Sequence, residues 1–264
     1  MSTILIDQVE AQIIRVTLNR PERRNALTEE LLSDLCAAID AAATDEKCRV
    51  LVLRGAGKAF CAGLDLQETL ETDDAHRSAG MVAKTLRALA ETKLITIAQI
   101  HGAAVAGGAG LMSACDFVVA AERTKIGYPE GRRGLVAGLV MTFLRRQLRE
   151  RDIRELLLTG ELISAERAHE MGLVNRVVPP NELETEVAKI AAAVLQNAPQ
   201  AAQRTKRLIE ELWSSSVRED VENALHYHME ARDSEEAKEG IAAFLEKRPS
   251  RWQSLGSPQA RHTP

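Results

Sequence analysis

Two glycine-bearing turns could present backbone N–H groups to a reacting atom. They are CAGLD, Cys61–Asp65, and AGGAG, Ala106–Gly110, and each comes after a short apolar run with the pattern of a buried strand. Two N–H groups aimed at one point form an oxyanion hole, which stabilises a negative oxygen that develops during a reaction. The simpler interpretation is that these glycines only permit tight strand-to-helix turns, and residue types alone favour it.

A third candidate is a glutamate held next to a proline, in the segment Tyr128–Gly131 with the sequence YPEG. Pro129 fixes its own φ and restricts Tyr128, so Glu130 would sit on a stiff corner. An acid held in this way could act as a general base. The alternative is an ordinary solvated surface charge, which is what most glutamates are.

Other short motifs do not support a known type of site. GAGK at Gly55–Lys58 lacks the spacing of a phosphate-binding loop, and an alanine follows the lysine. AGGAG does not fit the GxGxxG pattern of a dinucleotide-binding turn. The histidines are dispersed, and His226 and His228 lie on different faces of a predicted helix, so no metal site is predicted.

Composition restricts the class of protein. The 264 residues are 45% hydrophobic, 27% charged and 3% aromatic, with a net charge of -4. This balance is typical of a globular protein and predicts neither a nucleic-acid partner nor an anionic membrane surface. Four cysteines without a Cys-x-x-Cys pair, and an N-terminus without a signal-peptide pattern, predict a cytoplasmic protein with reduced thiols. The apolar stretch Leu94–Ala121 is long enough for a membrane span, but its glycines, His101 and Asp116 favour two buried strands around a turn.

The elements that must position these residues follow from hydrophobic periodicity. Strands are predicted in Ala11–Arg20, Arg49–Gly55, LITIAQI, DFVVAAE, TKIGY and LVNRVVP, with helices between them. After residue 181 the chain is predicted to be almost entirely helical. This order predicts an α/β core with mostly parallel strands and a helical C-terminal region.

Several helix ends are also marked in the sequence. Thr28 and Ser164 are predicted N-caps, and Gly172 occupies the position of a left-handed C-terminal cap. Asn181 and Glu184 have the spacing of a capping box. Residues 140–160 are predicted to be helical.

Five blocks together resemble one family, the enoyl-CoA hydratase/isomerase (crotonase) family. In chain order they are NRPERRNAL, LRGAGKAFCAGLDL, IHGAAVAGGAGLMSACDFVVAAE, IGYPEGRRGL and LTGELISAERAHEMGLVNRVVP. The resemblance runs from the first strand to about Pro180, and the helical tail is compatible with it. Each block alone is weak, but five in the same order and spacing are specific. The resemblance favours the oxyanion-hole interpretation of the glycine turns over the simpler one.

The resemblance implies an architecture and a substrate class. The expected fold is an α/β crotonase-like spiral of ββα units with a C-terminal helical region that trimerises. Residues 1–198 would form the core with the acyl-CoA site, 199–248 the helical oligomerisation region, and 249–264 a flexible tail. The expected partners are an acyl-CoA thioester and further copies of the chain, as a trimer or a hexamer made from two trimers. No metal or other cofactor is expected, since coenzyme A is part of the substrate.

Matching the family's motifs to this sequence implies roles for individual residues. The thioester oxygen would accept hydrogen bonds from the backbone N–H groups of Leu64 and Gly107, with Gly108 as the alternative to Gly107. Glu130 would be the catalytic acid and base. Residues implied to bind the coenzyme A moiety are Arg24, Ala26, Ala62, Asp65, Leu66, Phe244 and Lys247.

One departure from the family pattern leaves the reaction open. Many hydratases of the family carry a second glutamate three residues after the oxyanion glycine, and here that residue is Gly110. Glu130 alone could shuttle a proton between Cα and Cγ, as in a Δ3,Δ2-enoyl-CoA isomerase. The pattern GGAGLMSACD nevertheless resembles branched-chain enoyl-CoA hydratases of the methylglutaconyl type, and hydration is slightly preferred.

The glycine at position 110 leads to two further expectations, and a non-enzymatic role is a third. An acid from the segment LQETLETDDAHRS, among them Glu68, Glu71, Asp73 and Asp74, could replace the missing carboxylate, although a solvated acidic loop is the simpler interpretation. A Gly110→Glu substitution is expected to leave folding intact and to raise hydration. A non-enzymatic alternative, a coenzyme A ester-binding or scaffolding protein, is opposed by the retained Glu130.

Overall fold

The computed structural model describes residues 2–66, 75–213 and 215–254. Six strands form the main sheet in the order β1-β2-β3-β4-β6-β9, in which only the β1–β2 pair is antiparallel. These strands are β1 (Ile4–Glu10), β2 (Ile13–Leu18), β3 (Val50–Gly55), β4 (Ile95–Ile100), β6 (Phe117–Ala121) and β9 (Arg176–Val178). The mostly parallel sheet predicted from the sequence is therefore observed.

A second, three-stranded sheet lies beside the main one, in the order β5-β7-β8. Its strands are β5 (Ala103–Val105), β7 (Lys125–Gly127) and β8 (Ile163–Ser164). The chain enters this sheet directly after a main-sheet strand, from β4 to β5 and again from β6 to β7. A helix or helical turn follows each of these small-sheet strands: Gly107–Ser113 follows β5, and the 3-10 turn Pro129–Arg133 follows β7. A main-sheet strand, a small-sheet strand and a helical segment thus form the repeating unit of the spiral.

Helices cover both faces of the main sheet. They are α1 (Glu29–Thr44), α2 (Ala75–Glu91), α3 (Gly107–Ser113), α4 (Gly138–Gln147), α5 (Glu150–Thr159), α6 (Ala165–Met171), α7 (Leu183–Leu195), α8 (Pro199–Glu211), α9 (Val217–Arg232), α10 (Glu235–Leu245) and α11 (Arg251–Ser254). Alternate residues of the buried strands point to opposite faces, so each strand is apolar on both. One face packs on the main core with α1 to α4, and the other packs on α7.

The predicted helix ends are partly confirmed. Thr28 accepts a hydrogen bond from the Leu31 N–H, Ser164 accepts one from the Arg167 N–H, and Gly172 has φ 95° after α6. The capping box at Asn181 is wrong, because a 3-10 turn at Pro180–Glu182 precedes α7 and no side chain caps that helix.

The stretch Leu94–Ala121 is not a single helix. It contains β4, β5, α3 and β6, as expected from its glycines. Within the described ranges no helix is both long and apolar enough to cross a membrane.

Two elements differ from the sequence analysis. β1 was not predicted; it pairs antiparallel with β2 at the edge of the main sheet. The stretch 140–160 is helical, as predicted, but it divides into two helices, because Leu148 and Arg149 adopt extended backbone between α4 and α5.

The C-terminal third is helical, as predicted. α9 packs on α4 and α2, and α10 packs on the 3-10 turn at Pro129–Arg133. At the start of the predicted tail, Ser250 is buried and α11 begins at Arg251. Residues 255–264 lie outside the described part of the chain.

Candidate active site

A cavity brings together most of the residues singled out in the sequence. Both glycine turns reach it, through Ala62, Leu64, Ala106 and Gly107, and so does Glu130. Arg133 and His228 of α9 also line it, and the rest of its wall is apolar and comes from the first glycine turn, α2, the segment before and in α4, and α10. These residues are Leu66, Ala79, Val82, Leu135, Val136, Ala137, Leu139, Val140 and Phe244. An apolar pocket with a few convergent polar groups is the usual form of a small-molecule site.

The backbones of Leu64 and Gly107 approach each other at the wall of this cavity. The neighbours of Leu64 are fixed to the segment before α1, since the Leu27 N–H donates to the Gly63 carbonyl (2.8 Å) and the Asp65 N–H donates to the Leu27 carbonyl (2.9 Å). Gly107 is the first residue of α3, and an ideal Cβ built on it would lie 3.9 Å from the Leu64 nitrogen. Among the described residues, neither the Leu64 N–H nor the Gly107 N–H has an acceptor.

The close approach of the two glycine turns depends on backbone conformations with positive φ. Gly63 has φ +91°, where a side chain is strained. Ala106 caps α3 at φ 51° and ψ -124°, a conformation that only glycine adopts easily. A Cβ on Gly108 would lie 2.5 Å from the Cys61 carbonyl oxygen, so Gly108 must remain glycine. Gly107 lines the cavity, whereas Gly108 faces Cys61, which favours Gly107 as the second donor.

Glu130 is the one carboxylic acid among the described residues of the cavity wall. It lies in the 3-10 turn that Pro129 begins, it is 9% exposed, and its Oε2 has no hydrogen-bond partner in the described structure. Burial raises the pKa of Glu130 to about 7, although the nearby Arg133 opposes the shift. A carboxyl with this pKa can both give and take a proton near neutral pH.

The corner that carries Glu130 is tied to α3 by a buried hydrogen bond. The Tyr128 hydroxyl lies 2.8 Å from the Ser113 hydroxyl, and Ser113 donates to the Ala109 carbonyl. Burial raises the pKa of Tyr128, so its phenol stays protonated. The helix with the second N–H donor and the turn with Glu130 are therefore held as one unit.

Position 110 holds no polar group and does not face the cavity directly. A Cβ on Gly110 would lie 2.9 Å from Val140 Cγ1. Val140 lines the cavity and occupies the space that a side chain at position 110 would need. The expectation that Gly110→Glu is accepted without a change in folding thus requires Val140 to move. The candidate acids Glu68, Glu71, Asp73 and Asp74 lie outside the described residues.

A second, more basic cavity adjoins the first. Ala62, Arg133 and Phe244 line both, and the second also contains Arg24, Arg132 and Arg248. The Arg133 guanidinium lies 4.2 Å from the centre of the Phe244 ring, so the two form a cation–π pair between the cavities. Clustered guanidinium groups suit the phosphates of a nucleotide.

Three of the residues predicted to bind coenzyme A do not line either cavity. Asp65 forms an ion pair with Arg20 (3.1 Å), and Arg20 Nη1 also donates to the Ala26 carbonyl (2.5 Å). Lys247 follows the C-terminal end of α10 with φ 54°. Asp65 and Ala26 thus support the turn that carries Leu64, and Ala62, Leu66, Phe244 and Arg24 are the predicted residues that reach a cavity.

The sequence analysis missed Arg133, Arg248 and His228. Arg133 could have been predicted to lie near the site, because it follows Glu130 by three residues in the same turn. His228 lies seven residues after Val221 and eleven after Val217, both buried, so helical spacing places it on the apolar face of α9. A histidine on the apolar face of a predicted helix was therefore the available signal.

Comparisons with known proteins show the family to which the chain belongs. The family described as enoyl-CoA hydratase/isomerase matches residues 8–255. A Thermus thermophilus protein provisionally named as an enoyl-CoA hydratase is 39% identical, and the match covers 93% of this chain and 99% of that protein. The crotonyl-CoA hydratase of Syntrophomonas wolfei is 32% identical over 92% of this chain and 95% of its own.

The solved structures include similar folds. An enoyl-CoA hydratase/isomerase from Xanthobacter autotrophicus superposes with a TM-score of 0.85 at 30% identity, over 97% of this chain and 99% of that one. The chain belongs to the enoyl-CoA hydratase/isomerase family. The crotonase fold predicted from the sequence is confirmed, while the methylglutaconyl-type subgroup stays a prediction.

Proposed function

We propose that this protein is an enoyl-CoA hydratase that acts on an acyl-CoA thioester through an enolate. The observation that carries the proposal is that one apolar cavity is lined by the buried Glu130 and by Leu64 and Gly107, whose N–H groups have no acceptor among the described residues. Names of relatives support hydration, since the similar protein of Syntrophomonas wolfei is a crotonyl-CoA hydratase.

The proposed mechanism follows the charge that develops. The thioester oxygen accepts hydrogen bonds from the Leu64 and Gly107 N–H groups and becomes the enolate oxygen when water adds at Cβ. Loss of one such donor typically costs on the order of 10²–10³ in rate. Glu130, with its pKa near 7, gives the proton to Cα and regains one afterwards.

Binding of the coenzyme A moiety is assigned to the basic cavity. Arg24, Arg132 and Arg248 would hold the phosphates, and Phe244 would cover the passage between the two cavities. The acyl chain would then extend among the apolar side chains around Val136 and Val140. This division requires no metal and no further cofactor. We therefore propose that the reaction uses neither, and that the protein is cytoplasmic.

A Δ3,Δ2-enoyl-CoA isomerase is the second candidate. Two observations favour it: Glu130 is the single carboxyl among the described residues of the cavity, and Val140 fills the space beside Gly110. In this reaction Glu130 alone would carry a proton between Cα and Cγ on one face of the substrate.

Isotope incorporation separates the two reactions. Purified protein is incubated with a 2-enoyl-CoA, and separately with its 3-enoyl isomer, in H₂¹⁸O, and the products are read by mass spectrometry. We expect ¹⁸O in a 3-hydroxyacyl-CoA. Interconversion of the two enoyl forms without ¹⁸O would replace the hydratase with the isomerase, and no conversion would favour a coenzyme A ester-binding role.

The proposed assembly is a trimer, or a hexamer made from two trimers. α8 supports it, because no residue of this helix is buried in the single chain. Its apolar residues and those just after it are exposed, namely Leu208, Ile209, Leu212 and Trp213.

A further inference from the structure

The helix α3 carries one strongly hydrogen-bonding side chain. Its sequence is GGAGLMS, so Ser113, its last residue, is the only member with a hydroxyl, amide or charged side chain. In the described structure no side chain caps the start of this helix. Ala109, Leu111 and Met112 pack in the main apolar core. Apolar contacts are not directional, so they do not by themselves fix the direction of the helix axis.

Ser113 and Tyr128 form a hydrogen bond whose donor can be assigned. The two hydroxyl oxygens lie 2.8 Å apart, and the Ser113 hydroxyl donates to the Ala109 carbonyl (2.8 Å). A serine hydroxyl has one hydrogen, so the Tyr128 hydroxyl is the donor to Ser113. Both residues are buried, at 0% and 1% exposure for Tyr128 and Ser113, so bulk water does not compete for either group.

The segment that carries Tyr128 also holds the other end of α3. The Ala106 N–H, directly before the helix, donates to the carbonyl of Gly127, directly before Tyr128 (2.8 Å). Two consecutive residues, Gly127 and Tyr128, thus bond to the two ends of one helix. Pro129 and Glu130 follow them in the 3-10 turn. The position of α3 relative to Glu130 is therefore set by one backbone bond and one side-chain bond.

The direction of the Gly107 N–H depends on the direction of α3. The first N–H groups of a helix have no acceptor within the helix and point along its axis, away from its start. Gly107 is the first residue of α3, which has seven residues and is therefore about 10 Å long. A shift of the end at Ser113 would therefore tilt this short helix and re-aim the N–H at its start.

We propose that Tyr128 and Ser113 are positioning residues, whose hydrogen bond fixes the Gly107 N–H relative to Glu130. The proposal rests on the proposed function, in which that N–H stabilises the enolate oxygen and Glu130 exchanges the proton at Cα. Neither hydroxyl needs to touch the substrate, because each acts through the backbone that carries it. Misplacement of reacting groups by about 1 Å can cost about 10²-fold in rate.

Three variants separate positioning from stability. Tyr128→Phe keeps the ring and removes the donor. Ser113→Ala leaves the Tyr128 hydroxyl buried without its acceptor, which should lower the urea midpoint most. The double variant contains neither hydroxyl, and replacing both partners of a buried hydrogen bond by apolar groups is nearly neutral for stability. Its midpoint should therefore lie close to that of the wild type.

A similar pair outside the site provides the control. In α2 the Thr85 hydroxyl donates to the Met81 carbonyl (2.8 Å), four residues earlier, and lies 3.2 Å from the Cys36 thiol of α1. Thr85 and Cys36 are both buried, and the described walls of the two cavities contain neither residue. Thr85→Val removes this hydroxyl at nearly constant shape, so it should lower the urea midpoint without changing kcat.

Two rates are measured for each protein: ¹⁸O incorporation from water during hydration of crotonyl-CoA, and exchange of the Cα protons of butyryl-CoA in D₂O. Both reactions need the Gly107 N–H and Glu130. We expect Tyr128→Phe, Ser113→Ala and the double variant to lower kcat for both by about 10–10²-fold, with KM little altered. The double variant should be no slower than the slower single variant, because all three remove the same bond.

The double variant decides between positioning and stability, since it should regain the urea midpoint but not the rates. Four results would overturn the positioning role. They are wild-type rates in Tyr128→Phe, a double variant that regains its rates together with its midpoint, a loss of hydration with unchanged exchange, and an equal loss of kcat in Thr85→Val.

Failure of the proposed hydratase function is a distinct result. The wild type would then incorporate no ¹⁸O, while the exchange rates of the same variants would still decide the role of Tyr128 and Ser113. A wild type that neither hydrates crotonyl-CoA nor exchanges the Cα protons of butyryl-CoA would overturn both proposals.

Discussion

At Glu130 the fold holds a carboxyl where ionisation is costly, because the group is buried and Oε2 has no partner in the described structure. The sequence predicted the position of this residue, since Pro129 fixes the corner, but it could not predict burial, which depends on α5 and α10 packing on the turn that carries it. His228 was missed for the same reason. Its burial places it against the Val136 carbonyl, 92 positions earlier in the chain.

Replacing the carboxyl tests the role of Glu130 directly. Glu130→Gln keeps the shape and one hydrogen-bonding oxygen but cannot exchange a proton, so turnover should fall by about 10²–10⁴-fold. Binding of an acyl-CoA should be nearly unchanged, as measured by isothermal titration calorimetry. Unchanged turnover would remove Glu130 from the mechanism.

The raised pKa of Glu130 also predicts a pH-dependent stability. Between pH 4.5 and about 7 the unfolded chain has lost this proton while the folded chain keeps it. The free energy of unfolding should therefore fall as pH rises through this window. Glu130→Gln removes the dependence, so its urea midpoint should exceed that of the wild type most at pH 8 and least near pH 4.5.

The control for this measurement is Glu46→Gln, at an exposed position after α1. Its midpoint relative to the wild type should not follow the same trend. A difference between Glu130→Gln and the wild type that stays constant from pH 4.5 to 8 would contradict a folded-state pKa near 7.

At the scale of elements, the sequence predicted the helix ends that are set by the capping residue itself. Thr28, Ser164 and Gly172 mark helix ends through their own side chains or backbone, and the structure confirms them. The break after α4 carries no glycine, proline or side-chain cap at Leu148 and Arg149, so the sequence there continues a helical pattern. β1 is held by its pairing with β2, a contact that a local pattern does not reveal.

The close packing of α3 on the first glycine turn gives a prediction for Gly108. An alanine there would place Cβ 2.5 Å from the Cys61 carbonyl oxygen, which is backbone and cannot move freely. Gly108→Ala should destabilise the protein by about 1–3 kcal/mol, the usual effect of overpacking. It should also lower turnover, because α3 carries the Gly107 N–H.

Gly80 in α2 is the matched control, since a Cβ there meets nothing within 4 Å. Gly80→Ala should stabilise the protein by about 0.5–1 kcal/mol, the ordinary helical preference for alanine. Both changes are measured by chemical denaturation. Equal effects of the two substitutions would contradict the packing described at Gly108.

At the scale of the whole molecule, α8 is attached to the rest of the chain mainly through polar contacts. Arg146 donates to Glu210 on α8, to the Ser215 carbonyl and to Asp220 on α9, and Lys206 pairs with Asp116 (2.8 Å). The apolar side of the helix is left exposed. Amphipathic helices are stabilised when their apolar face is covered, and further copies of this chain are the expected cover.

Charge placed on that face should therefore separate the subunits. Ile209 and Leu212 are 62% and 77% exposed in the single chain. We expect wild-type protein to have the mass of a trimer or hexamer by light scattering, and Ile209→Asp and Leu212→Asp to shift it toward the monomer. Leu158→Asp, on α5 and also 77% exposed, is the control for a charge at an equally exposed leucine. An assembly that tolerates both the Ile209 and the Leu212 variant, or a monomeric wild type, would mean that something other than this chain covers α8.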